Sequence, residues 1–252
     1  MGRFLPEDRI RTIALSRPGY LGTPLDATDP SIDHEADLLA AVLDKLGVDR
    51  CGVFAWSGGG PSAYRLAVRH PQRVASLIAV AALSTRWQAP APSASERFLF
   101  WTNVGQWLLG LLARCAPGLV IEGALSSAGS LRGDELKALV ASVMADPEQR
   151  AAVLAFSKTV GTSGPRKPGW ENDVANFAAI DSLELACVRC PTLLIHGNAD
   201  ADAAIEFSYA AHEVLPQSRL IVMDRGTHFA FYAHPDAADV QEEARTFLAA
   251  NL

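Results

Sequence analysis

A single serine stands in the glycine-rich stretch at 53–63, which reads VFAWSGGGPSA. The apolar run before it is typical of a buried strand, and Pro61 favours the start of a helix just after it. A strand that turns sharply into a helix presents Ser57 at the helix N-terminus, where backbone N–H groups stabilise negative charge. The pattern predicts a nucleophilic serine, with a plain anion-binding turn as the alternative.

The residues two before and two after Ser57 are Ala55 and Gly59. We expect small residues at both positions, because a tight turn brings their Cβ positions against the neighbouring backbone. Trp56, next to the serine, either lines a substrate pocket or packs in the core. These two roles cannot be separated from the sequence.

Two later stretches place an acid and a histidine directly after predicted strands. LLIHGNAD at 193–200 carries Asp200 on the loop that follows Gly197, and GTHFAF at 226–231 carries His228. Because the carboxyl ends of parallel strands meet at one edge of a sheet, all three side chains can come together there. The chain order of serine, acid and histidine is one that serine hydrolases use.

Other titratable residues near these stretches are alternatives or structural groups. Asp202 lies on the same loop as Asp200 and could replace it as the acid. Three residues are expected to be structural, namely Asp224 at a strand end, His196 at a strand edge below the acid, and His70 at a helix end.

The stretches between these motifs alternate between strand and helix patterns. The predicted strands lie at 11–16 (RTIALS), 51–56, 74–83, 191–197 and 218–224. The predicted helices lie at 29–46 with Asp29 as N-cap, at 61–70 and 203–214, and in the closing DAADVQEEARTFLAAN. Apolar strands separated by helices indicate an α/β fold with a mostly parallel central sheet and helices on both faces.

Residues 86–186 break this alternation. They carry helical patterns at about 95–115, 133–145 and 147–160, followed by a Gly/Pro-rich link at 161–169 that includes GPRKPG, which we interpret as a solvated loop. The sequence therefore predicts one α/β core, at 1–85 and 187–252, divided by a helical insertion at 86–186.

Composition excludes several classes of function. With 252 residues, 49% hydrophobic residues and a formal charge of −6, the chain is a globular protein without a broad basic surface, so we expect no nucleic-acid partner. Cys187 and Cys190 form a C-x-x-C that runs into a predicted strand and has no second ligand pair nearby. We therefore expect reduced structural thiols, no metal and no cofactor.

No segment has the pattern of a membrane span or a signal peptide. The uncharged run at 98–113 is shorter than the roughly 20 residues that a span requires, and we expect a buried or half-buried amphipathic helix, with a membrane-associated role as the weaker alternative. Its apolar side chains should face the pocket or pack beneath it. The first eleven residues are polar, which favours a cytoplasmic protein. The oligomeric state is left open.

Taken together, the motifs resemble the α/β-hydrolase superfamily, and most of all its small, capped, esterase-like bacterial members. The resemblance covers about 10–85 and 187–250, and it is carried by SRPGYLGTPLD, WSGGGPSA, RHPQRVASLIAVAAL, IHGNAD and GTHF. It implies that Ser57 is the nucleophile, His228 the general base and Asp200 its orienting acid. It further implies that the N–H of Gly58 is an oxyanion donor and that the insertion at 86–186 is a cap, or lid.

The implied activity is hydrolysis of a small, largely apolar carboxylic ester or related acyl compound through an acyl-enzyme on Ser57. Carbon–carbon bond hydrolysis and perhydrolysis use the same three residues and stay open. A catalytically impaired relative that binds a ligand without efficient turnover is the alternative from another class.

The chain departs from the family pattern before the RPGY turn. The family has three strands there, and the loop after the third, with a His-Gly motif, supplies the second oxyanion N–H. Only ten residues precede RTIALS. Either the protein starts further upstream, together with any targeting signal, or the 11–16 strand pairs directly with the 51–56 strand. The helix-like character of GRFLPEDRIR favours the first explanation.

Overall fold

Four parallel strands form the sheet at the centre of the molecule. In the computed structural model, which describes residues 2–6, 10–159 and 164–252, the strands are hydrogen-bonded in chain order. They are β1 (Cys51–Trp56), β2 (Val74–Val80), β3 (Thr192–Gly197) and β4 (Ser218–Met223). Since all four run in parallel, their carboxyl ends lie at one edge of the sheet, where β1 and β3 lead into the serine and acid loops.

Helices occupy most of the remaining described chain. They are α1 (Ile32–Lys45), α2 (Gly60–Arg69), α3 (Ala94–Trp101), α4 (Asn103–Cys115), α5 (Pro117–Ser127), α6 (Gly133–Ala145), α7 (Pro147–Ser157), α8 (Lys167–Ala178), α9 (Glu206–Val214) and α10 (Ala237–Asn251). Short 3₁₀ turns lie at Gly2–Phe4, Ser57–Gly59, Gly164–Arg166 and Leu185–Cys187.

Successive side chains of the central strands point into two separate cores. Leu77 of β2 and Leu194 of β3 pack against α1, α2 and α9, whereas Ile78 and Ile195 pack against α10. All four side chains are fully buried. This alternation follows from the two-residue period of a strand, and it confirms the expected α/β class with helices on both faces.

Two local predictions in the first third of the chain are wrong. Residues 11–16 are irregular and mostly exposed instead of a strand. Among the described residues β1 pairs only with β2, so 11–16 does not pair directly with it and has no ladder to satisfy its backbone groups. Asp29 does not cap α1 either: the cap is Ser31, whose Oγ accepts the N–H of His34 at 3.1 Å.

The region between β2 and β3 is helical, as expected, but differs in detail. Helices α5 and α8 were not predicted, and the predicted link at 161–169 lies partly outside the described residues. The rest of that link forms a 3₁₀ turn and the start of α8. The segment at 98–113 is broken at Thr102 into α3 and α4, and it exposes several large apolar side chains, so the expectation of a buried or half-buried helix is only partly right.

A half-buried arginine links the loop after residue 16 to buried carboxylates on two distant helices. Arg17 donates to both carboxylate oxygens of Glu35 on α1, at 2.6 and 3.2 Å, and to both of Asp173 on α8, at 2.9 and 2.6 Å. Tyr20 donates a further hydrogen bond to Asp173 at 2.6 Å. Burial raises the pKa of Asp173 despite the attraction of Arg17. The cluster therefore depends on the guanidinium to neutralise two carboxylates.

Replacing this arginine should be much more costly than replacing an exposed one. Arg17→Met leaves Glu35 and Asp173 buried without their cation, and we expect a loss of about 3–5 kcal/mol in the free energy of unfolding at neutral pH. The loss should shrink as the pH falls, because protonation of Asp173 removes one unpaired charge.

The matched control is Arg69→Met, since Arg69 pairs bidentately with Asp37 at the surface and should cost under about 1 kcal/mol. Denaturant unfolding of both variants at two pH values measures the difference. Equal losses for the two arginines would show that the Arg17 cluster is not a structural tie.

Candidate active site

The serine turn has the strained backbone that a nucleophile elbow requires. Ser57 follows β1 with φ of +54°, in the left-handed region that residues other than glycine rarely adopt. Its carbonyl oxygen accepts two N–H groups, from Gly60 and from Leu83 at 3.2 Å. These bonds hold the turn between β1 and α2 and keep the serine in this conformation.

The closest packing of the turn falls on a different glycine from the one expected. A Cβ at Gly60 would lie 2.6 Å from the carbonyl oxygen of Leu83, whereas a Cβ at Gly59 would meet nothing within 4 Å. The expectation that a Cβ at position 59 would lie against the neighbouring backbone is therefore wrong. Ala55 is buried in the core, and Gly58 faces the ring of Phe177 on α8.

His228 and Asp200 are directly hydrogen-bonded. His228 Nδ1 lies 2.7 Å from Asp200 Oδ2, and the two side chains are 6% and 0% exposed. The other carboxylate oxygen of Asp200 accepts the backbone N–H groups of Asp202 at 2.8 Å and Ala203 at 2.9 Å. Asp200, not Asp202, therefore faces the histidine, and Asp202 contributes its backbone to the same loop.

A second histidine, His196, also contacts the carboxylate of Asp200. His196 Nε2 lies 2.8 Å from the carbonyl oxygen of Ala203 and 3.3 Å from Asp200 Oδ2, while its Nδ1 lies 2.7 Å from Ser208 Oγ. A proton on Nε2 and a hydroxyl donating to Nδ1 satisfy all of these contacts. The fully buried His196 thus gives Asp200 a further donor, in the structural position that the sequence suggested.

The charges of the site favour an ionised acid and a basic histidine. Burial by itself raises the pKa of Asp200, but the hydrogen bonds from His196 and His228 outweigh it, so the pKa lies below its ordinary value. Burial acts to lower the pKa of His228, yet the hydrogen bond and charge of Asp200 and the charge of Asp202 raise it above its ordinary value. Such a pair suits a general base held by a carboxylate.

Trp56 packs against the histidine loop. Its ring is stacked on His228 with centroids 5.1 Å apart, and it lies 4.4 Å from the ring of Phe156 on α7. Its Nε1 donates to the carbonyl oxygen of His228 at 3.3 Å. Of the two roles left open by the sequence, these contacts favour packing, with Trp56 positioning the imidazole.

The stretch between α5 and α6 joins the acid and histidine loops. The carbonyl oxygen of Ala128 accepts the N–H groups of His228 at 3.0 Å and Ala201 at 3.3 Å, and Ser130 donates its N–H to Ala199 at 2.8 Å. Gly129 forms an antiparallel bridge with Asp200. Sequence reasoning missed this contact, because a run of small residues without periodicity was its only signal.

Ser57 and His228 are not hydrogen-bonded to each other in this structure. Among the described residues neither Ser57 Oγ nor His228 Nε2 has a hydrogen-bond partner. Serine–histidine bonds are often loose without substrate, so the absence of this bond does not exclude the pair. Gly58 lies in the first turn after the serine, where backbone N–H groups lack helical acceptors.

The remaining candidates lie away from the reactive atoms. Asp224 follows β4 and accepts a hydrogen bond from Asn198, and His70 ends α2 and contacts Asp37. The four cysteines are free thiols. In the described ranges no group of His, Cys, Asp and Glu is arranged to hold a metal ion. Nor does any helix of the described chain have the length and apolar character to cross a membrane.

A side chain at Gly129 should disturb the joined loops. A Cβ there would lie 2.4 Å from Thr227 Cγ2 and 3.1 Å from the carbonyl oxygen of Leu125, so Gly129→Ala should lower the free energy of unfolding by about 1–3 kcal/mol. The control is Gly123→Ala on α5, where a Cβ meets nothing within 4 Å and a gain of up to about 1 kcal/mol is expected.

Thermal unfolding of the two alanine variants measures both effects. A Gly129→Ala protein as stable as the Gly123→Ala protein would show that the bridge to Asp200 is not tightly packed.

Comparison with known proteins places this geometry in a family. A family model described as alpha/beta hydrolase fold matches residues 1–235. The solved structure of an alpha/beta hydrolase fold protein from Nakamurella multipartita is 42% identical with a TM-score of 0.96, covering 99% of this chain and 86% of that one.

Curated relatives agree with the family model. A pimeloyl-[acyl-carrier protein] methyl ester esterase from Aromatoleum aromaticum is 30% identical over 92% of this chain and 86% of its own length. An uncharacterized hydrolase, YcgS, from Bacillus subtilis is 25% identical over 82% of this chain and 71% of its own. The chain belongs to the α/β hydrolase fold family, and it is a hydrolase.

Proposed function

We propose that this hydrolase cleaves a small, largely apolar carboxylic ester through an acyl-enzyme on Ser57. The observation that carries the proposal is the hydrogen bond between buried Asp200 and His228 at the edge of the sheet where β1 turns into the strained Ser57. A base held by a buried acid, next to a serine on a sharp turn, is the arrangement used in acyl transfer.

In the proposed mechanism His228 Nε2 takes the proton of Ser57 as Oγ attacks the ester carbonyl carbon. The carbonyl oxygen becomes an oxyanion that accepts the N–H of Gly58. The tetrahedral intermediate collapses, the alcohol leaves with the proton from His228, and the acyl group stays on Ser57. Water then attacks the acyl carbon as it loses a proton to His228. The bond to Ser57 Oγ breaks, the carboxylic acid leaves, and His228 returns the proton to Oγ; Asp200 stabilises the imidazolium in both steps.

The relatives support an ester as substrate. The Aromatoleum protein is named as a methyl ester esterase, and a further relative from Aeromonas hydrophila, 25% identical, carries the same name. The imidazole of His228 packs against the rings of Trp56 and Phe229, and Phe156 packs against both of these rings. Such aromatic surroundings suit an uncharged acyl group better than a charged one. Carbon–carbon bond hydrolysis and perhydrolysis use the same three residues and are separate outcomes of a substrate panel.

We also propose that residues 86–186 form a cap on a core at 1–85 and 187–252. Three contacts support this division, since each links the helical region to a loop of the site. Phe177 of α8 packs on Gly58, Phe156 of α7 packs on Trp56, and Ala128 bonds the histidine loop. These contacts support the proposal that the helical region is a lid over this edge of the sheet.

The direct test combines a serine-directed probe with an ester panel. The purified protein should be labelled by a fluorophosphonate and should hydrolyse short acyl esters, and Ser57→Ala should abolish both. Ser62→Ala is the matched control, since Ser62 lies on α2 close to Ser57 in sequence, and it should leave labelling intact. Ester hydrolysis that survives in Ser57→Ala would overturn the assignment, and labelling without turnover would favour an impaired, ligand-binding relative.

The pH dependence should separate the two aspartates. The free enzyme requires neutral His228, so kcat/KM should rise with pH around a value above the ordinary histidine pKa of about 6.5. Asp202→Asn removes a charge that raises this pKa, so the inflection should move to lower pH while the plateau rate stays similar.

Asp200→Asn should move the inflection in the same direction and also lower kcat by about 10⁴, because the histidine loses the partner that fixes its tautomer. Profiles of kcat/KM against pH for the wild type, Asp202→Asn and Asp200→Asn show which aspartate is the partner of His228. An Asp202→Asn enzyme as impaired as Asp200→Asn would make Asp202 the acid.

A further inference from the structure

Helices α3 and α4 present an unusual row of exposed apolar side chains. We call this row the α3–α4 stripe, and its members with their exposed fractions are Phe98 (46%), Trp101 (46%), Val104 (63%), Trp107 (67%) and Leu111 (41%). They recur at spacings of three and four, so on each helix they share one face. Two tryptophans in one such row mark an interaction surface and are not scattered surface residues.

The backbone beneath the stripe is closely packed. Thr102 Oγ1 accepts the N–H of Gly105 at 3.0 Å and donates to the carbonyl oxygen of Phe98 at 2.7 Å, so the chain turns between the helices without unsatisfied groups. A Cβ at Gly105 would lie 2.6 Å from Leu99 Cα, so the two helices touch backbone to backbone. The junction between α3 and α4 is therefore closely packed. Its backbone polar groups at Thr102 and Gly105 are hydrogen-bonded, and the apolar side chains of the stripe are exposed.

The helical segment that carries the stripe contains two cations. Residues 97–121 include Arg97 and Arg114 and no acid, and Glu96 and Glu122 flank this range. Both arginines are exposed, and neither forms an ion pair with a described residue. An amphipathic element with tryptophan on its apolar face and cations at its ends has the composition of a helix that lies in the headgroup region of a bilayer.

We propose that the α3–α4 stripe inserts into the headgroup region of an anionic lipid bilayer, with Arg97 and Arg114 contacting lipid phosphates. A second copy of the chain is a poorer occupant, since a stable dimer takes about 20–30 residues a side and the stripe has five.

Flotation with lipid vesicles tests the surface without relying on the activity. The full chain should float with phosphatidylglycerol vesicles and much less with phosphatidylcholine vesicles. Trp101→Ser/Trp107→Ser should lower the partition coefficient about tenfold, and Arg97→Gln/Arg114→Gln should lower it about tenfold or more, on anionic vesicles only. Ser57→Ala should bind vesicles like the wild type. The flotation result can therefore be interpreted even if the proposed ester hydrolysis is wrong.

Tyr209→Ser/Val214→Ser is the matched control, because both residues are comparably exposed on α9, outside the stripe. It should leave flotation unchanged. Unfolding temperatures should be alike in the variants of α3, α4 and α9, because every side chain substituted there is exposed. Absence of flotation, or flotation that the tryptophan variant retains, overturns the proposal. So does a dimer in light scattering that the tryptophan variant dissociates, since a second copy would then cover the stripe.

Discussion

The buried carboxylate of Asp200 is the constraint on which the site depends. A carboxylate without solvent is costly unless hydrogen bonds and a partner charge compensate it. Here His228 and His196 approach one oxygen, and the N–H groups of Asp202 and Ala203 approach the other. This shell keeps the acid ionised and fixes the direction in which His228 presents its other nitrogen. The site is therefore preorganised on the acid side, while the serine side is held separately by the strained turn at Ser57.

The helices between β2 and β3 contact the same loops. Ala128 accepts hydrogen bonds from both loops, and the rings of Phe156 and Phe177 pack on the two neighbours of Ser57 in sequence. Through Asp173 on α8 the Arg17 cluster also ties this region to α1. A movement of these helices would therefore change the surroundings of serine, histidine and acid together. The contacts of Ala128, Phe156 and Phe177 therefore make the helical region part of what positions these loops.

Sequence patterns predicted the parts of the fold that depend on local chemistry. The apolar runs of β1 to β4 and the positions of Asp200 and His228 after strands follow from periodicity and turn residues, and the observed strand and helix bounds mostly agree within a few residues. The RTIALS prediction failed because a strand needs a neighbouring ladder, which no local pattern reports. The contact of Gly129 with the acid loop and the exposure of Trp107 could not be predicted from the sequence. Both depend on tertiary contacts between segments that are far apart in the chain. The Ser57–His228 contact stays a prediction.

The central claim is that Asp200 and His228 activate Ser57 as a covalent nucleophile. It is tested most directly by quenching the enzyme with acid during turnover of p-nitrophenyl butyrate and mapping the peptides by mass spectrometry. We expect a butyryl group on the peptide that contains Ser57, formed together with a burst of nitrophenol, and absent from Ser57→Ala. Steady turnover with no acyl group on that peptide, or an acyl group on another residue that is kinetically competent, would contradict it.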